Sequence, residues 1–409
     1  MGAVLLPAIA LSAGVAVDYS GIYSAKSNLQ QMADAAVLAA AREMVLINKT
    51  TDSVEAVAKN FFIANMATKK ISFSLGYEIT TAVDKVNNNL TVSLSAKRRN
   101  AFGNFLQPEY TTITAVAKAK ALAGMNICAI GLDTKNKDTL FLKEDAVLVG
   151  NNCGIFSNST HAKGISLKNK ANLQANMVCS AGGFVKTGQN PSTIPVTDCP
   201  PVDDPLISRA GLSVGGCRYT DYKIDSKVKL LWPGTYCGGL KITGKSVVQF
   251  IPGIYVIKDG IFEISGTSVV NSSYAGFYFT GADAKLKITR ETRVSFVAPK
   301  RGKMAGLLFF QDPNSAEPPA DNSGSNVNRF LIQSNNARTL LGTIYLPKGI
   351  LRIDSENPIA GDSAFTVVIA KRLQFIGNSR LVLNSDYSAT DVPVPTGIAG
   401  DKAKVYLTQ

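Results

Sequence analysis

Beyond residue 125 the sequence keeps one spacing: an apolar residue, any residue, a second apolar residue, five mostly polar residues, then a third apolar one. It occurs as Leu140/Leu142/Leu148, Ile165/Leu167/Leu173, Leu240/Ile242/Val248, Phe262/Ile264/Val270, Leu286/Ile288/Val294, Leu351/Ile353/Ile359 and Leu373/Phe375/Leu381. Hydrophobic residues are 45% of the chain, so a single match says little and the phase decides. The middle positions step by 25 (142 to 167), 75 (to 242), 22 (to 264), 24 (to 288), 65 (to 353) and 22 (to 375). The long steps lie close to multiples of the short ones. Periods of about 20–30 residues mark a solenoid, in which no coil buries its own apolar face and neighbours stack into one core. Turns rich in Gly, Asn, Ser and Thr favour β coils over a leucine-rich horseshoe. The chain is therefore expected to be mainly β, with a parallel β-helix-like solenoid over 125–390. Its core should hold Leu142, Leu167, Ile242, Ile264, Ile288, Ile353 and Phe375, with bends at Gly244, Gly266 and Gly377. A Cys-rich insertion at 180–240 interrupts the period, and a β-sandwich or jelly roll is the alternative fold.

The remaining 125 or so residues divide further. Residues 1–17, MGAVLLPAIALSAGVAV, carry no charged side chain. As a helix they rise about 26 Å, a little short of a hydrocarbon core of about 30 Å. Tyr19 and Tyr23 follow, as interfacial aromatics do, so 1–23 is expected to be a transmembrane anchor. Residues 18–68 read as membrane-proximal helices, the second over about Asp52 to Thr68. In the first, Leu29, Met32, Ala33, Ala36, Ala39 and Ala40 form a narrow stripe of mostly small side chains. Such a stripe packs either within a hairpin or against another membrane-proximal helix. Residues 69–124 alternate apolar and polar side chains, as a small β unit does. Residues 391–409 form a C-terminal tail or capping strand.

Composition narrows the chemistry. The chain has one histidine, His161, in the polar stretch SNSTHAKG, which leaves His-based triads and multi-His metal sites little material. No P-loop, HExxH or GxSxG occurs. Asp203 and Asp204, with Asp198 nearby, suggest a carboxylate pair, but three prolines around them read as a rigid turn. Asp18-Tyr-Ser20-Gly-Ile22 falls one Ser short of a D-x-S-x-S metal motif. Lys97, Arg98 and Arg99 lack the interleaved aromatics of a nucleic-acid patch. The loop Asp312–Asn328 reads as an exposed contact candidate. No catalytic residue, cofactor or metal site and no nucleic-acid partner is expected. A net charge of +13 favours anionic partners, namely membrane lipid and acidic envelope polymers.

Six cysteines, Cys128, Cys153, Cys179, Cys199, Cys217 and Cys237, include no CxxC pair. Beside an apolar N-terminal segment they are expected to form disulfides in an oxidising compartment. Cys128, Cys153 and Cys179 are spaced by 25 and 26, which places them on adjacent coils about 4.8 Å apart, within bridging range. Only two of those three can pair. Six cysteines allow 15 pairings, of which sequential ones are favoured.

The N-terminal residues resemble a family. Ala16-Val-Asp-Tyr19, then Lys26, Leu29, Gln30, Ala33, Asp34, Ala35, Ala36, Leu38, Ala39, Ala40 and Ala41, is similar to the signature of TadG-like (TadE/G-like) proteins of the Flp, or tight-adherence, pilus system. Family members usually carry a basic stretch before the apolar span, and this chain begins inside the span. Later stretches are similar too: those starting at Cys153 (CGIFSNST), Val178 (VCSAGG), Cys199 (CPPVDDPL), Pro233 (PGTYCGG), Pro252 (PGIYV) and Gly306 (GLLFFQD). The resemblance implies a non-catalytic, single-pass protein of the bacterial inner membrane, its C-terminal part in the periplasm. It would serve assembly or anchoring of an adhesive pilus, with other pilus components or pilin helices as partners. The alternatives are a β-helix carbohydrate-active enzyme of the envelope and a directly binding adhesin.

Overall fold

A computed structural model describes residues 5–44, 51–69, 76–84, 89–101, 109–121, 126–316, 329–399 and 405–408. The chain divides into two compact units, residues 1–124 with 401–409, and residues 125–400.

In the first unit the Ala- and Leu-rich N-terminal sequence forms one helix, α1 (Leu5–Met44). A second, α2 (Thr51–Lys69), carries Asp52 in its first turn, where the helix dipole favours an anion. They pack with an antiparallel sheet of β1 (Tyr77–Asp84), β2 (Asn89–Arg99), β3 (Tyr110–Ala121) and the C-terminal strand Val405–Thr408. The tail thus completes this unit rather than capping the solenoid, and the helices share one core with the β residues expected to stand apart from them. Period-two alternation in β2 and β3 turns Leu90, Val92, Leu94, Ala96 and Ile113, Ala115, Ala117, Ala119 inward.

The second unit is a solenoid of three-faced parallel coils, which rules out the sandwich alternative. The seven expected core residues are all buried, at 2% exposure or less. They form one column with Ile224 and Ile332: Ile224, Ile242, Ile264, Ile288, Ile332, Ile353, Phe375, Leu142, Leu167. Gly244, Gly266 and Gly377 have φ of 68°, 71° and 68°, the left-handed bend that glycine accepts without a Cβ penalty. Inside the following corner, Ser246, Ser268 and Thr292 are fully buried, each hydroxyl donating to the carbonyl three residues earlier.

The column shows that coil order in space differs from coil order in sequence. Coils 219–231, 234–250, 253–272, 275–297, 307–341, 343–359 and 366–383 stack in sequence. The coil at 126–150 then stacks on 366–383, followed by 153–175 and 177–188. At this seam Arg372 and Asp133, 1% and 2% exposed, form a buried ion pair at 3.2 Å. The 75-residue step is therefore not three coils. It holds the two end coils, 177–188 and 219–231, and between them a strap that returns the chain to the other end of the solenoid.

Candidate interaction surfaces

The strap explains the Cys-rich insertion. Cys128–Cys153 bridges adjacent coils, with Cα atoms 5.5 Å apart. Cys179–Cys199 ties the terminal coil to one end of the strap, and Cys217–Cys237 ties the other end to coil 234–250. The pairing is sequential, and every cysteine is bridged. Between the two staples, Asn158 exchanges hydrogen bonds of 2.7 and 2.8 Å with the Val202 backbone. Tyr345 donates to the Asp204 carboxylate at 2.8 Å, and the Leu206 amide donates to its other oxygen. Burial, only partly offset by these two bonds, holds the Asp204 carboxyl above the usual carboxylate range. The Asp203–Asp204 pair thus sits in a strap fastening, and Asp204 acts there as an acceptor. Beneath the strap, outward-facing Tyr278, Phe310 and Tyr345 are buried, Tyr278 meeting Phe310 edge-on at 5.1 Å and Phe310 stacking on Tyr345 at 5.5 Å. The strands carrying them are apolar on both sides, so they read as continuous runs: Ala275–Thr280 as AGFYFT, Leu307–Gln311 as LLFFQ.

On α1 the small-residue stripe is already occupied. Leu29, Met32, Ala33, Ala36 and Ala40 are fully or almost fully buried in the core formed with α2 and the sheet, and Ala39 is half-buried. Small side chains on helix and sheet alike let the backbones approach closely. Of the two packings the stripe allowed, the one within this unit is observed, with the sheet as well as α2 as partner, and another helix would have to meet a different face. Asp18 is 4% exposed and accepts from the Ala101 amide at 2.7 Å, a structural role unlike that of a metal ligand. The Arg98 guanidinium, the flexible end of its side chain, lies against the α carbon of Gly21, in space that a Cβ would share. Gln30 bridges Asp34 (2.9 Å) and the Val116 carbonyl (3.0 Å).

What α1 leaves open is the side bearing Val17, Tyr19 and Tyr23, which are 57%, 71% and 70% exposed. The anchor expected over 1–23 falls partly outside the description: residues 1–4 are not described, nor are the side chains up to Ala13. Among the described residues no helix is long and apolar enough to cross a membrane.

His161 is exposed, and its Nδ1 accepts from the Lys163 amide at 2.9 Å, within a turn. Among the described residues no group of three or more His, Cys, Asp or Glu is placed to hold a metal ion. Of the contact loop Asp312–Asn328, residues 317–328 lie outside the described residues.

Compared with known proteins, residues 1–43 match the family described as "Putative Flp pilus-assembly TadE/G-like". The match coincides with α1, including the buried stripe, Asp18 and Gly21. No curated protein and no solved structure matches the chain.

Proposed function

We propose that this protein is a non-catalytic component of Flp-type pilus assembly, held at the bacterial inner membrane by α1 with its solenoid in the periplasm. The observation that carries the reading is the family match over residues 1–43, on a helix that exposes Val17, Tyr19 and Tyr23 among small and polar residues. Tyrosines at such a position suit a membrane interface. Three disulfides suit an oxidising compartment and so support a reading in which the solenoid lies outside the cytoplasm. In this reading the first unit couples to membrane and pilus components, and the solenoid is a stiff spacer or docking body.

Deleting the gene and imaging surface pili tests the proposal. Loss of pili, restored by the full chain and not by a chain lacking residues 125–400, is the expected result. Unchanged piliation in the deletion strain would contradict it.

A further inference from the structure

At one corner of the solenoid, successive turns place ring-bearing residues side by side. Gly253 pairs with Ala275, so Pro252 and Tyr274, one residue earlier in each coil, sit level. Pro299 follows at the corner of coil 275–297. With Ile254, Lys300 and Arg301 they line a cleft of about 370 Å³. That is near the lower end of the range of about 300–1,000 Å³ found for small-molecule sites.

Two features make this more than a surface dent. Tyr274 has φ of 60°, a left-handed conformation unfavourable for a bulky side chain. Strain of this kind clusters where a side chain must be aimed. Lys300 Nζ stands 4.0 Å above the Tyr274 ring and is paired with Asp391. That carboxylate, with help from Tyr274, keeps the ammonium charged by raising its pKa. Arg301 is exposed at the rim, and no ion pair engages it among the described residues. The cleft therefore joins the Pro252 and Pro299 rings, and the Tyr274 face that Lys300 leaves open, to a guanidinium with no ion pair among the described residues. A pyranose ring offers a C–H face to the first, and a carboxylate takes two parallel hydrogen bonds from the second.

We infer that this cleft binds a carboxylated sugar unit of an acidic polysaccharide, with Tyr274 as platform and Arg301 as carboxylate receptor. This site is independent of the α1 reading, since it lies wholly within the solenoid unit.

Calorimetric titration of the full chain with trigalacturonate, maltotriose and inorganic polyphosphate tests it. Two variants separate the roles. Arg301→Ala removes the receptor. Tyr274→Gly removes the platform while keeping a residue at ease with that φ, so its melting temperature should not fall. Trigalacturonate should bind, at least about tenfold more weakly to either variant. Lys163→Ala, at an exposed lysine outside the cleft, should change nothing. Three results would each overturn the inference: no binding of trigalacturonate, equal binding of maltotriose, or polyphosphate binding as tightly with Tyr274→Gly without effect. The last would leave only a positive patch.

Discussion

Asp133 and Arg372 sit where two coils distant in sequence meet, and neither reaches water. Burial alone would raise the Asp133 carboxyl pKa. The Asn136 side chain, the amides of Asn136 and Lys135, and the nearby Lys371 charge outweigh burial and hold it below the usual range. A lowered folded-state pKa means stability that is present at neutral pH and lost as pH falls through it. Asp133→Asn removes the buried carboxylate that pairs with Arg372, and breaking such a pair costs roughly 3–5 kcal/mol at pH 7. In chemical denaturation the gap between variant and wild type should narrow below pH about 3.8, the ordinary aspartate value. A gap independent of pH would refute the assignment. Ile264, between Ile242 and Ile288 in the core column, gives a simpler test. Ile264→Asp buries a carboxylate without a partner and should cost several kcal/mol by the same assay.

At the scale of elements, α1 illustrates why a pattern can be plain while its packing partner stays open. A stripe of small residues permits close approach to a helix or to a sheet, and periodicity does not distinguish them. The distinction lies in Leu90–Ala96 and Ile113–Ala119, whose alternation is plain but whose pairing with α1 is a tertiary fact. Ala36→Phe should therefore destabilise the first unit by overpacking, typically at least about 1–3 kcal/mol. Tyr19→Ser with Tyr23→Ser should leave its melting within about 0.5 kcal/mol, because both side chains are exposed. The same double variant should weaken sedimentation with membranes; unchanged sedimentation would remove the exposed tyrosines from membrane contact. In the strap, Cys179→Ser releases a closed loop of about 20 residues, worth roughly 3 kcal/mol. Limited proteolysis should then cut first between residues 199 and 217. Initial cutting elsewhere would show that Tyr345, Asn158 and the packed rings hold the strap without its staple.

For the whole molecule, the apolar spacing was enough to locate one edge of the solenoid core, because inward positions on two neighbouring faces recur in every regular coil. Ile332 escaped it, since the next inward residue, Ala337, comes one position early where the strand register shifts. The continuous apolar runs marked a face covered on both sides and were the available signal for the strap. Nothing in the spacing reveals that coil 126–150 stacks on 366–383. The seam is set by pairing between distant strands, which no local period encodes. The signature of α1 was readable as a family resemblance, whereas the Tyr274 cleft was not readable at all. It depends on three corners meeting in space.

The proposed role requires an oxidising compartment, in which the three disulfides close the solenoid and its strap. Mass-spectrometric mapping of thiols and disulfides in the chain isolated from its native envelope tests this most directly. The expected result is no free thiol and the pairs Cys128–Cys153, Cys179–Cys199 and Cys217–Cys237, in protein recovered with the membrane fraction. Six free thiols in protein recovered from the soluble cytoplasmic fraction would contradict both the compartment and the strap that the staples hold.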